Sequence, residues 1–385
     1  MCRICAVLVA IAFAFIGAPP TSFAQPRPFG GPQAGIEKGV PRPNPFAGPQ
    51  GEGRAAMPPG PVSPFEYVDV HVHPIPDRNG LASLIEALRV ASDARIGKIV
   101  LMPTPQSADV RLNWDYESFL PAVRQNPGRF AFLGGGGSLN QMVLEAAATG
   151  RVDDGLRARF EKRARDILAD GASGFGELSA HHLSFMPGHP YEVVPADHPL
   201  FLLLADIAAE AQAVIDFHFD VVVTDLPRPS RLGPPNPETL SANLAGFERL
   251  LAHNRKARIV WAHAGADPLG HWTPRLSREL LSRHQNLYMS LRMGGEAAGM
   301  QNTLFVPGTG LNPEWLSVLK EFPDRFVMGG DQFLLSAAMR GPGAEFARSA
   351  PMQRRLQALL LSRLPPELAR KIGYENAARL YKFKD

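Results

Sequence analysis

Apolar and polar positions are distributed in three different ways along this chain of 385 residues. Ile4 to about Ala18 is nearly all apolar, whereas from about Gln25 to Pro64 large apolar side chains are sparse. From Phe65 onward, short runs rich in β-branched and aromatic residues alternate with longer segments whose apolar residues recur at helical spacing. The strand-like runs are Tyr67–His73, Lys98–Pro103, Phe130–Gly135, Ala172–Leu178, Val214–Phe219, Arg258–Ala264, Asn286–Leu291 and Phe326–Gly330. Helical patterns between them include Leu81–Ser92, Leu156–Leu168, Leu200–Ala213, Glu238–His253, Pro274–Ser282 and Asn312–Glu321, and an amphipathic stretch, Pro366–Tyr381, follows the last of these runs.

Some runs, such as Ile259-Val260-Trp261-Ala262, are apolar at every position, as expected when both faces of a parallel strand are covered. Alternation of strand and helix over about 250 residues or more implies right-handed crossovers. Eight such units close into a (β/α)8 TIM barrel, an α/β fold, here spanning 65–385 with long loops on its top face. The alternative is an open doubly wound sheet with a glycine-rich phosphate loop after an early strand. Gly134-Gly135-Gly136-Gly137 does not have that form; it reads as a turn, or as a place where backbone lies close to a neighbour. The stretch Pro366–Tyr381 would close the bottom or flank of the barrel.

Composition sets limits on what this fold can do. Hydrophobic residues make up 45% of the chain and charged residues 20%, enough for a large core. The formal net charge of +3 is spread without a basic stripe, which argues against nucleic acid as a partner. Arg3, the apolar run, Pro19-Pro20 and Ser22-Phe23-Ala24 read as a secretory signal peptide over 1–24. The mature protein would then be periplasmic or secreted, with no stable membrane span. Residues 25–64, rich in Pro and Gly, read as a disordered linker. Both cysteines, Cys2 and Cys5, fall within the leader, so the mature chain would rely on His, carboxylate, Ser, Lys or water for its chemistry.

In a parallel barrel, reactive side chains gather at the C-terminal ends of the strands. Applied strand by strand, that rule selects His71 and His73 on the first, Glu177 on the fourth, His218 on the fifth, His263 on the sixth and Asp331 on the eighth. Singly, each has a bland reading: a core histidine, a solvated loop acid, a helix N-cap. Jointly they form a set of imidazoles and carboxylates suited to a borderline divalent ion, zinc before manganese or iron, with positions left for water. If Glu177 bridges, two ions fit, one on His71, His73 and Asp331 and one on His218 and His263. If it does not, a single ion on His71, His73, His218 and Asp331 leaves His263 to polarise a substrate. Spacing along the sequence does not choose between these.

With these residues in place the chain resembles the amidohydrolase superfamily, in its amidohydrolase-related (amidohydrolase 2) branch, over 65–385. The motifs are Asp69-Val70-His71-Val72-His73, Gly176-Glu177, His218, Ala262-His263-Ala264-Gly265, Gly329-Gly330-Asp331 and Glu375-Asn376-Ala377-Ala378-Arg379-Leu380-Tyr381. The resemblance implies a barrel with one or two divalent metals that hydrolyses amides, lactones or similar esters; some relatives decarboxylate aromatic acids instead. Relatives usually carry a small hydroxylated residue where Gly330 stands. The fourth strand has no Lys for a carboxylated-lysine bridge, and Glu177 would take that place.

The first functional expectation is a metal-dependent hydrolase with Asp331 as general base and His263 assisting the oxyanion. A metal-dependent decarboxylase of aromatic acids is the second, and a non-catalytic metal-containing binding protein the third. Substrate contacts are expected from Arg292, just after the seventh strand, from His181 with His182 in the loop after Glu177, and from His271 beside Trp272. Arg228, Arg231 and Gly233-Pro234-Pro235-Asn236-Pro237 form either a lid or a rigid surface connection. The expected partner is a small-molecule substrate, and a homo-oligomer is compatible with the sequence.

Overall fold

Eight chain segments pair in parallel and in chain order: Tyr67–Pro74, Ile96–Leu101, Phe130–Gly135, Gly174–His182, Val214–Phe219, Arg258–Ala264, Leu287–Leu291 and an eighth in two pieces, Phe326–Met328 and Gln332–Leu334. This architecture comes from a computed structural model that describes residues 62–75, 95–107, 114–186, 188–293, 299–306, 310–334 and 342–383. The first piece of the eighth strand pairs with the seventh (Met289↔Phe326), and the second piece pairs with the first (Val72↔Gln332). Because the two pieces follow one another in the chain, the sheet closes on itself, which excludes the open doubly wound alternative. One short antiparallel strand, Glu192–Val193, adds to the end of the fourth at His181 and His182.

The strands start within two residues of the sequence expectation. Two of them differ in a way that matters for the site. The fourth runs on through His182, so His181 and His182 belong to a strand end, held by Phe217–Phe219 on one side and Glu192–Val193 on the other, and not to a loop. The eighth stops at Met328 and resumes at Gln332, because Gly329–Asp331 leaves the ladder. The expected helix Leu81–Ser92, the leader 1–24 and nearly all of the 25–64 segment lie outside the described residues. Among the described residues no helix is long and apolar enough to cross a membrane.

Burial on both faces explains the apolar strands. One cluster joins strand residues such as Phe132, Phe175, Phe217 and Trp261 to helix residues such as Phe160, Phe201, Phe247 and Trp315, forming the layer between sheet and helices. The other contains Val68, Val100, Leu133, Val214, Val260 and Val327, about one residue per strand, and fills the inside. Ala377, Leu380 and Tyr381 pack against that inner layer, so Asn376–Leu380 plugs the end of the barrel away from the strand termini that carry the site. The outer helices begin where the sequence provides caps, as at Asp153 and Thr273, whose side chains accept from Leu156 N–H and Leu276 N–H. Gly136 explains part of the glycine run. A Cβ there would stand 2.6 Å from Thr104 O, 2.8 Å from Pro103 O and 2.9 Å from Glu177 O. Three backbones meet at that point, and only glycine leaves them room.

Candidate metal centre

All six ligand candidates meet at one end of the barrel. His71 and His73 are completely buried on the first strand, Glu177 lies in the fourth, His218 in the fifth and His263 in the sixth, and Asp331 sits in the break of the eighth. The carboxylate of Glu177 separates two groups. Its Oε2 faces His71 Nε2 at 3.5 Å and His73 Nε2 at 3.3 Å, and its Oε1 faces His218 Nδ1 at 3.0 Å and His263 Nε2 at 3.1 Å. Asp331 Oδ1 joins the first group at 3.3 Å from His73 Nε2 and 3.9 Å from His71 Nε2.

The remaining ring nitrogens of His71, His73 and His218 face carbonyl or carboxylate oxygens. His73 Nδ1 donates to Met102 O at 3.1 Å, so its Nε2 presents a lone pair to the centre. His71 Nδ1 faces Asp216 Oδ1 at 3.2 Å, and His218 Nε2 faces Asp220 Oδ2 at 3.3 Å. Asp220 is itself held in place by Leu183 N–H, which donates to its Oδ2 at 2.8 Å. Carboxylates and carbonyls behind imidazoles are what orient metal-binding histidines and raise their basicity. Asp216 and Asp220 had no separate role in the sequence reading; each stands two residues from His218, Asp216 on the same strand and Asp220 just past its end, and that spacing was the available signal. Asp69, by contrast, turns away from the metal groups toward the eighth strand.

Electrostatics point the same way. Burial pulls His71 down, but Asp216 and Glu177 hold it well above the ordinary imidazole value. His73 is likewise raised against burial by Asp331 and Glu177, and His218 is lifted to about 10, chiefly by Asp220. Burial wins at His263, which falls to about 4. Burial also pushes the two acids up, yet His71, His218 and His263 hold Glu177 well below the usual carboxylate range. Arg292 and His263 do the same for Asp331. The carboxylates thus demand positive charge among the imidazoles, as protons or as metal ions.

The donor set fits divalent ions. Two imidazole nitrogens on one tetrahedral ion, each bound at about 2.0–2.1 Å, would lie about 3.3 Å apart. The His71 Nε2–His73 Nε2 distance is 3.1 Å and the His218 Nδ1–His263 Nε2 distance is 3.2 Å. The groups His71–His73–Glu177, Glu177–His218–His263 and His71–His263–Asp331 could each hold an ion. His263 Nδ1 is buried without a hydrogen-bond partner.

Other sequence candidates are placed variously. Arg292 Nη2 lies 3.0 Å from Asp331 Oδ2, so it touches the centre through that acid. His181 is buried, with Nδ1 facing Asp220 O and Asn243 Nδ2, behind His218 rather than among the ligand groups. His271 Nδ1 accepts from Val223 N–H at 3.0 Å, in the loop after the fifth strand. The stretch at 233–237 is fastened: Asn236 Oδ1 accepts from Ser184 N–H and its Nδ2 donates to Ser184 O, each at 2.8 Å. A pocket of about 630 Å³ opens between Thr104–Ser107, Gly188–Tyr191 and Pro235. The ring of His189 on its wall lies 4.5 Å from that of His182, tilted by 50°, and His182 lies 4.6 Å from the His218 ring.

A family model described as Amidohydrolase matches residues 68–383. No curated protein matches the chain. Among solved structures, an amidohydrolase 2 from Bifidobacterium longum subsp. infantis is similar at 14% identity and a TM-score of 0.40, covering 83% of this chain and 100% of its own. A dihydroorotase from Saccharomyces cerevisiae gives 14% identity and a TM-score of 0.43, with 85% and 86% covered. A 5-carboxyvanillate decarboxylase from Novosphingobium aromaticivorans gives 12% and 0.43, with 83% and 96% covered.

Proposed function

The chain belongs to the amidohydrolase family, and from that footing we propose that it hydrolyses an amide, lactone or ester-type small molecule with two divalent ions, zinc first, at the centre described above. One observation carries the reading: the two oxygens of Glu177 are divided between two histidine pairs, each pair at the spacing of two ligands on one ion. Ions held there would supply Lewis-acid activation of water and of the substrate carbonyl.

The protein's own groups do the rest. His73 presents Nε2 because its Nδ1 donates to Met102 O, His218 presents Nδ1 with Nε2 facing Asp220, and His71 turns Nε2 to the centre with Nδ1 beside the Asp216 charge. Asp331 enters ionised, with Oδ2 held by Arg292 and Oδ1 turned to the centre. That oxygen accepts the proton of the attacking water and returns it to the departing amine or alcohol. His263, with Nε2 directed at Glu177 and His218, would hold the second ion rather than the substrate. The apolar leader and its Ser22-Phe23-Ala24 end support a periplasmic or secreted setting.

Elemental analysis of the purified mature protein should find two transition-metal ions per chain. On a panel of lactones, amides and aryl esters, Asp331→Asn, which still turns an oxygen to the centre, should hold metal more weakly and, with metal in excess, lose roughly 10²–10⁴-fold in turnover. Absence of transition metal, or unchanged turnover in the variant, would overturn the reading; carbon dioxide release from aryl acids would move it to decarboxylation.

A further inference from the structure

The pairing of the first and eighth strands has a gap. The piece Phe326–Met328 pairs with the seventh strand, and pairing with the first begins only at Val72↔Gln332, so Gly329–Asp331 has no ladder partner on that side. The Asp69 carboxylate occupies the gap. Its Oδ1 accepts from the His71 N–H at 3.1 Å and from the Gly330 N–H at 2.8 Å, so a single oxygen ties the strand carrying both histidines to the residue before Asp331. Its Oδ2 accepts from Gln332 Nε2 at 2.5 Å and Gln357 Nε2 at 3.2 Å. Both amides are oriented from behind, since Arg354 Nη1 donates to Gln332 Oε1 and the Tyr67 hydroxyl donates to Gln357 Oε1. Four donors therefore converge on one completely buried side chain, an arrangement that an ionised carboxylate satisfies and an amide does not.

Asp331 itself has φ 48°, in the left-handed region that a residue with a Cβ rarely enters. Its place must be imposed by its neighbours, and Asp69 grips both of them, Gly330 through the backbone and Gln332 through the side chain. The fit leaves no slack, because a Cβ at Gly330 would stand 2.5 Å from Asp69 Oδ2. Gln332 Cγ and Nε2 would each stand 2.9 Å from it as well, so glycine here is matched to the close approach of both side chains.

We propose that Asp69 is a positioning residue: by replacing the missing rung between the first and eighth strands it fixes Asp331 against His71 and so sets the geometry of the first metal group. The inference rests on reading that group as a metal site. Its test has two arms on the full mature protein, wild type and Asp69→Asn: amide hydrogen exchange over 326–334, and binding of Co²⁺ alone, followed by its visible bands and by competition with a chelator. We expect exchange at 326–334 to quicken at least tenfold, and the Co²⁺ affinity to fall tenfold or more with altered bands. Gly330→Ala, whose Cβ must displace the carboxylate, should give the same changes and replaces Asp69→Asn if that variant does not fold. Quicker exchange with unchanged cobalt affinity and bands would mean that Asp69 only braces the sheet, and unchanged exchange would mean that it does not bridge the gap; either overturns the proposal. A wild type that takes up no cobalt while 326–334 loses protection in the variant would sink the metal reading and leave the strand clamp standing.

Discussion

His71 Nδ1 lies 3.2 Å from Asp216 Oδ1, and both side chains are completely buried. The contact is close, but it is poorly aligned as a hydrogen bond and neither Asp216 oxygen has another partner. Asp216 therefore acts on His71 mainly through charge, raising the basicity of Nε2 toward whatever it binds. Asp216→Asn keeps the shape and removes the charge. Its zinc affinity, measured by competition with a chelator, should drop roughly tenfold to a hundredfold; wild-type affinity would remove Asp216 from the centre.

Much of this was legible in the chain. His71, His73, Glu177, His218, His263 and Asp331 stand at the ends of strand-like runs, most of them apolar and β-branched, and the rule that barrel strands end at the site brought them together from sequence alone. The division of labour around them was not legible. That Glu177 faces both histidine pairs depends on distances across four strands, and no spacing along one strand encodes it. The extension of the fourth strand through Ser179-Ala180-His181-His182 has no β-branched residue to announce it; pairing with Glu192–Val193 holds it. The break at Gly329–Asp331 is equally hidden, because Gly-Gly before an acid reads as an ordinary strand end. Asp69 reads as one more residue on the histidine face, yet its carboxylate goes to the neighbouring strand.

Glu177 should set the number of ions. Glu177→Gln keeps an oxygen for one group and offers an amide nitrogen, which cannot ligate, to the other. Elemental analysis should fall from two ions per chain to one or fewer. Removing the metal from wild type by dialysis against a chelator should lower the melting temperature, since an ion bound only by the folded state contributes about 4 kcal/mol at a thousandfold excess over its Kd. The same treatment should shift Glu177→Gln by less. Equal metal content in variant and wild type would show that Glu177 does not bridge.

Gly136 tests the packing beneath the site. Three carbonyl oxygens, those of Thr104, Pro103 and Glu177, stand within 3 Å of where a Cβ would sit. Backbone cannot rotate away as a side chain can, so Gly136→Ala should destabilise by about 1–3 kcal/mol, read as a lower urea midpoint at unchanged slope. Because Glu177 is one of the three, metal content should fall as well. A stable variant with full metal would mean that the second, third and fourth strands can part at little cost.

Acid should loosen the metal-free protein through its buried histidines, against an opposing contribution from Asp69, Asp115 and Asp216, whose carboxyls burial raises. Burial, helped by the neighbouring His218, pushes His182 down to about 4, and its Nδ1 donates to Pro190 O. An unfolded histidine titrates near 6.5. Between these values the unfolded chain holds a proton at His182 that the folded chain does not, so stability rises with pH through the window. The contribution is complete above about 6.5, is lost as pH falls toward about 4, and amounts to roughly 3 kcal/mol. His189, held down to about 3, and His263, at about 4, act in the same sense. The acids Glu177, Asp220 and Asp331 have depressed values, so their contribution is present above the ordinary carboxylate range and fades only below it. Urea midpoints of chelator-treated protein should therefore decline from pH 6.5 to 4, and His182→Gln should remove about one proton from that slope. A flat profile over this window in wild type, or an unchanged slope in the variant, would show that His182 is as easily protonated inside the barrel as outside it.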